Sequence, residues 1–246
     1  MKTNCFLVLL ATASSSFAAT NKVAISNFTD AGSLSTTYEI LNNTAPGVPP
    51  SYGSREFYAF RFTHSGQLNP DVFEVQIGLG NFSGSLANDI NPAVRIYSHN
   101  SVTNNPDALI STTTRTNPGG YGDNQAPGVF TFSLTSAFAA APGQTFWVIL
   151  NKGLAANEPG TGEMGLSLQS TPLAAQNESG FSYGGAVTGT LNYQESDLTD
   201  RRLVPDEWNT TTFTDGLTPA IAIVIPEPSA ALLGAFGVLG LLRRRR

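Results

Sequence analysis

Nucleophilic catalysis needs a hydroxyl or thiol, a base, and an acid that orients the base, all within hydrogen-bond reach. The chain has two histidines, His64 in Thr63-His64-Ser65-Gly66 and His99 in Ser98-His99-Asn100-Ser101. Neither adjoins a Gly-x-Ser-x-Gly elbow, no such elbow is expected in the chain, and both contexts read as surface turns at the ends of strands. They lack the H-x-H or H-x-x-x-H spacing that zinc sites favour. Glu56, Glu74, Glu163, Glu195, Asp206 and Glu207 could supply the paired carboxylates of a glycosidase, but none lies in a motif that marks an acid/base pair. No catalytic residue is assigned. Oxygen ligands cluster in Asn88-Asp89-Ile90-Asn91 and Asp197-Leu198-Thr199-Asp200, so calcium is the ion such loops would suit. Neither fits an EF-hand loop, and Asp/Asn-rich turns are common without metal; no metal ligand and no cofactor is assigned.

Aromatic rings can stack on sugars. Trp147 sits between Phe146 and Val148 and reads as core, whereas Trp208 lies in a polar stretch and is expected in a loop, with Tyr183 and Tyr193 near it. Trp208 is therefore the candidate ligand-binding residue.

Two terminal segments say how the chain is handled. Lys2, the apolar stretch from Cys5 to Ala13 and the small-x-small Ser16-Phe17-Ala18 read as a secretory signal peptide over residues 1–18. The single cysteine, Cys5, falls inside it, leaving the mature chain without disulfide, thiol nucleophile or thiolate ligand. At the other end come Pro226-Glu227-Pro228-Ser229, an uncharged run from Ala230 to Leu242, and Arg243, Arg244, Arg245 and Arg246. The prolines forbid helix, Ser229 can cap one, and the run that follows would reach roughly 20 Å, short of the ~30 Å hydrocarbon core. Arginines at the far end set a cytoplasmic C-terminus, which leaves the rest outside.

The remaining body, residues 19–225, carries 8 Lys+Arg against 17 Asp+Glu, a net charge near −9. An acidic body without a basic run argues against nucleic acid and against binding acidic polymers by bulk charge. Its dominant pattern is alternation. Tyr58, Phe60 and Phe62 share one face, with Ala59, Arg61 and Thr63 on the other. Phe73, Val75, Ile77 and Leu79 repeat the pattern, as do Val94 with Ile96, Phe130 with Phe132 and Leu134, and Met164 with Leu166 and Leu168. Phe146 to Leu150 is continuously apolar, as expected of a strand in the middle of a core, and Ile221, Ile223 and Ile225 form a last strand. Ala45–Gly53, Asn81–Pro92, Asn117–Gly128, Asn151–Gly162 and Gly180–Gly189 read as turn-rich connections, Ser136–Ala141 as one short helical turn, and Asp197–Asn209 as a long loop. The fold expected is all-β: a single-domain antiparallel β-sandwich, jelly-roll-like, with a C-terminal membrane-spanning helix.

The ordered tail, Pro-Glu-Pro, apolar helix and arginine cluster, resembles the PEP-CTERM sorting signal, which exosortase recognises. That resemblance implies processing near Pro226–Pro228, transient anchoring in the inner membrane, and delivery to the cell surface or extracellular matrix. Phe57-Tyr58-Ala59-Phe60-Arg61-Phe62, Val94-Arg95-Ile96-Tyr97-Ser98, Leu109-Ile110-Ser111-Thr112 and Pro142-Gly143-Gln144-Thr145-Phe146-Trp147-Val148 resemble the choice-of-anchor domains, type R in particular. Such domains occur with alternative C-terminal anchors and carry no catalytic residues to transfer. Together these readings imply a non-enzymatic secreted surface or matrix protein associated with exopolysaccharide, with exosortase as its processing partner. A carbohydrate-binding module, and after it a polysaccharide hydrolase, are the alternatives.

Overall fold

The computed structural model describes residues 21–28, 34, 38–44, 52–66, 70–83, 92–115, 128–151, 163–175, 179–194, 207–211 and 217–226. A compact unit runs from Val23 to Ile225. Its strands are β1 (Asn21–Ser26), β2 (Tyr38–Thr44), β3 (Tyr52–His64), β4 (Asp71–Ser83), β5 (Ala93–Asn100), β6 (Asn105–Arg115) and β7 (Gly128–Ala139). They continue with β8 (Thr145–Asn151), β9 (Glu163–Gln169), β10 (Ala174–Ala175), β11 (Phe181–Gln194), β12 (Glu207–Thr211), β13 (Thr218–Pro219) and β14 (Ile221–Pro226).

These 14 strands form one sheet in the order β10-β1-β14-β4-β7-β6-β5-β8-β3-β2-β9-β13, with β11 and β12 branching from β3. An additional β4–β9 pairing bends the sheet back on itself. The result is an all-antiparallel sheet curled into a half-barrel, which corrects the expected jelly-roll sandwich of two separate layers. The reason lies in strands that change partners along their length. Tyr38–Asn42 of β2 pair with β9, while Asn43 and Thr44 pair with β3. In β6, residues from Asn105 to Thr112 pair with β5, while Thr113–Arg115 pair with β7. Alternation says which side chains point inward but not where one sheet ends, so both arrangements fit the same pattern. Register shifts in β4, β5 and β11 add the local bending that the curl requires.

No helix occurs among the described residues. None is therefore long and apolar enough to cross a membrane, and the expected membrane-spanning helix, with the membrane-anchored stage of localisation, is corrected accordingly. The stretches that carried those expectations, residues 1–18 and 230–242, lie outside the described residues. The short helical turn expected at Ser136–Ala141 is instead the end of β7. The turn-rich Gly180–Gly189 is mostly β11, the longest strand at 14 residues. Its glycines mark a bulge rather than a chain reversal: the β3 register shifts between Tyr183 and Ala186, and Gly185 there has φ +109°.

The concave side of the sheet holds the main core. Tyr58, Phe60 and Phe62 of β3 meet Val94 and Ile96 of β5, Phe146, Val148 and Leu150 of β8, and Val75, Ile77 and Leu79 of β4. Phe130 and Phe132, Met164, Leu166 and Leu168, and Ile221, Ile223 and Ile225 complete it, all in the registers that alternation assigns. In β4 the bulge between Val72 and Glu74 puts Val72 in the core and leaves Phe73 half-buried. Phe146 packs edge-on against Phe138 and Phe181, with centroids 5.2 and 6.2 Å apart.

Candidate functional site

The second face of β3, β5, β8, β11 and β12 is not an ordinary solvated face. In antiparallel pairs, residues directly opposite point to the same side. Trp147 of β8 lies opposite Arg61 of β3 and Tyr97 of β5; Ile149 lies opposite Ala59 and Arg95; Asn151 lies opposite Phe57 and Ala93. On β11, Val187 continues the row from Ala59, and Gly189 lies between Phe57 and Trp208 of β12. Phe57, Ala59, Tyr97, Trp147, Ile149 and Val187 form a second, smaller hydrophobic cluster, against which half-buried Trp208 packs. Both sides of β8 are thus covered, which is why Phe146–Leu150 reads as an unbroken apolar run.

Polar groups border this cluster. The Trp147 indole N–H donates to His99 Nδ1 at 3.0 Å, which fixes the imidazole with that nitrogen unprotonated, since indole can only donate. The two rings lie 6.0 Å apart, and the Arg61 guanidinium stands 5.8 Å from the Trp147 ring on the cation–π side. Arg61 also donates to Asn104 Oδ1 and to the Gly184 carbonyl. Two features make room for this. Asn104 adopts φ 58° in the β5–β6 turn, and a Cβ on Gly184 would come 2.6 Å from Arg61 Nε. Partial burial and then the charge of Arg61 hold the His99 imidazole below its ordinary pKa, and burial also lowers the Arg95 guanidinium beside Tyr97. Burial raises the Tyr97 phenol, an effect that Arg95 opposes.

The sequence-predicted residues fall differently. Trp208 is on β12 rather than in a loop. Tyr183 is not its neighbour: it packs against the main core, 5.8 Å from Phe62, and burial raises its phenol well above the ordinary range. The side chains of Tyr193, Glu163 and Glu207 are not among those described, and Glu195 and Asp206 lie outside the described residues. Pro226 ends β14, while Glu227, Pro228, Ser229 and Arg243, Arg244, Arg245 and Arg246 lie outside the described residues, as do Asn88–Asn91 and Asp197–Asp200. No group of three or more potential metal ligands occurs among the described residues. Glu56 and Glu74 lie on β3 and β4, which do not pair, and Glu74 accepts a hydrogen bond from Gln76 at 2.9 Å.

Neither histidine is a surface turn residue. His64 is 1% exposed, 4.8 Å from the Phe181 ring, and its Nδ1 has no partner among the described residues. Contrary to the expectation that no such motif occurs, Gly180-Phe181-Ser182-Tyr183-Gly184 has nucleophile-elbow spacing. It lies in strand β11 rather than a strand-to-helix turn. Ser182 is exposed opposite Thr63 and donates to its carbonyl, whereas His64, one position along, is buried beside Phe181 on the other face. Serine and histidine therefore occupy adjacent register positions with their side chains on opposite faces of the sheet. Arg61, Arg95 and His99 were missed as a group because each occupies an ordinary polar slot of an alternating strand. The available signal was that arginines on different strands shared a face with Trp147 in a chain poor in cations.

In comparisons with known proteins, no family model, no curated protein and no solved structure matches the chain.

Proposed function

We propose that this is a non-enzymatic structural or adhesive matrix protein that associates with exopolysaccharide and is recognised by exosortase at Pro226-Glu227-Pro228-Ser229. The observation that carries the association is the second face of the sheet. It presents half-buried Trp208, Arg61 and His99 on strands packed against the core, with Trp147 buried beside Arg61 and His99 and exposed Asn104 in the β5–β6 turn. Aromatic rings with hydrogen-bonding rims suit sugar rings, which have an apolar face and a polar edge. Support for exosortase recognition comes from the sequence: the Pro-Glu-Pro motif starts at the last residue of β14, and an uncharged run and then four arginines follow it.

The test is the intact mass of the native protein, with binding to polysaccharide measured on the same material. A chain ending near Pro226, alone or with an adduct, is expected. A chain that retains Arg243 to Arg246 overturns recognition by exosortase. Absence of binding to any polysaccharide overturns the association.

A further inference from the structure

Resting on the exopolysaccharide reading, we infer that the second face of the sheet selects acidic sugars, with Arg95 and Arg61 as two carboxylate-binding positions on either side of β8. In an acidic chain, an arginine on a strand face ordinarily finds a carboxylate. Arg95 is half-buried, and no hydrogen bond or ion pair engages it among the described residues; the titratable group that acts on it is Tyr97, a neutral phenol at pH 7. Arg61 is held by two neutral acceptors, Asn104 Oδ1 and the Gly184 carbonyl. The titratable groups that respond to Arg61 are His99 and Tyr183, neither of them acidic.

Among the described residues neither guanidinium thus meets a carboxylate, and Arg61 is fixed in position by its two acceptors. A guanidinium has five N–H donors, so Arg61 keeps several beyond those its two acceptors occupy, and among the described residues none of those on Arg95 is engaged. A planar fork of this kind binds carboxylate in a bidentate manner, and a half-buried cation gains more from such a partner than a solvated one. Burial of Arg95 has already removed part of its hydration, so a ligand carboxylate would supply what the protein withholds.

Placement favours an extended ligand over a single small anion. Arg61 and Arg95 sit on the two neighbours of β8, two residues out of step. At about 4.8 Å between strands and about 3.4 Å per residue, their backbones stand ~12 Å apart. Trp208 lies two strands from β3, on the side away from Arg95. The three side chains therefore mark the corners of a triangle spread over five strands, with an aromatic ring at one corner and cations at the other two. A polysaccharide bearing carboxylates on some of its units can reach more than one corner. Free phosphate or acetate would use only one. The body's net negative charge repels such a polymer at long range, so recognition depends on these short contacts.

The experiment measures binding of the full chain to an oligogalacturonate and to a neutral dextran oligosaccharide of similar length. Variants are Arg95→Gln, Arg61→Gln and, as a charge control, Lys22→Gln on β1, a strand outside this face. Arg95→Gln breaks no hydrogen bond or ion pair among the described residues, so it remains informative if Arg61→Gln fails to fold. The wild-type chain is expected to prefer the oligogalacturonate. Arg95→Gln, and Arg61→Gln when folded, should each weaken that binding about tenfold or more, with Lys22→Gln unchanged. Equal or better binding of dextran overturns the acidic-sugar assignment while leaving the polysaccharide reading intact. Equal weakening by Lys22→Gln, or no weakening by Arg95→Gln, overturns it as well. Absence of binding to either sugar overturns both readings.

Discussion

The two faces of β8 share a backbone and differ in everything else. Inward, Phe146, Val148 and Leu150 belong to the main hydrophobic core. Outward, Trp147 and Ile149 sit in a smaller cluster bordered by Arg61, Arg95 and His99. Both faces exclude water from their centres, so burial alone does not separate them. What separates them is the neighbourhood: the inner face is closed by the curl of the sheet, while the outer one ends in polar groups held by single, identifiable contacts. Truncations inside should therefore act through volume, and substitutions outside through particular hydrogen bonds and charges.

The strongest way to sharpen that contrast is to empty the inner face. Phe146 is fully buried and touches the rings of Phe62, Phe138 and Phe181, so Phe146→Ala removes a ring that the surrounding strands can replace only in part. A loss of about 3–5 kcal/mol is expected, measured by urea unfolding monitored by circular dichroism. A loss below about 1 kcal/mol would mean that the concave side is not a packed core.

Next comes the bulge that seats Arg61. Gly185 has φ +109°, a conformation that side chains rarely adopt, and no neighbouring atom lies within 4 Å of where its Cβ would stand. Gly185→Ala therefore isolates backbone strain from steric clash, and about 1–3 kcal/mol of destabilisation is expected in the same unfolding measurement. Because the bulge adjoins Gly184, whose carbonyl accepts from Arg61, the variant should also loosen the outer face without touching the core. An unchanged stability would show that β11 can pair with β3 without this irregularity.

How much of this was legible in the sequence follows from the same contrast. The inner face was readable because alternation of large apolar residues has one physical meaning, and Phe60, Ile96, Phe132, Val148, Leu166 and Ile223 all point where it assigns them. Sheet closure was not, because β2 and β6 change partners mid-strand and nothing in Tyr38–Thr44 or Asn105–Arg115 marks the change. Glycine-rich Gly180–Gly189 misled for a related reason: glycine serves a turn and a bulge equally well, and only pairing with β3 decides between them. The outer site was least legible of all. Arg61, Arg95, His99 and Trp147 come from separate strands, and their shared face depends on the β3–β8–β5 order, which no local pattern encodes.

The smallest expected effect is also the most specific, because it depends on one proton. In the fold, His99 Nδ1 accepts from Trp147, so protonation there breaks that bond and places a cation near Arg61. Burial and then Arg61 hold the folded His99 below the ordinary histidine value of 6.5. As pH falls below about 6.5, the unfolded chain takes up this proton before the folded one does, and stability must decline until the folded histidine titrates as well. Carboxylates contribute their own acid dependence, so the informative quantity is the difference between wild type and His99→Gln, whose amide oxygen can still accept from the indole. Thermal melts from pH 8 to pH 5 should show the wild type losing more stability than His99→Gln below about pH 6.5, with the two curves parallel above it. Parallel curves throughout would mean that His99 titrates alike in both states and that its contact with Trp147 is not maintained in solution. Trp147→Phe offers an independent check, since it removes the indole donor and should shrink the same difference while leaving the inner face untouched.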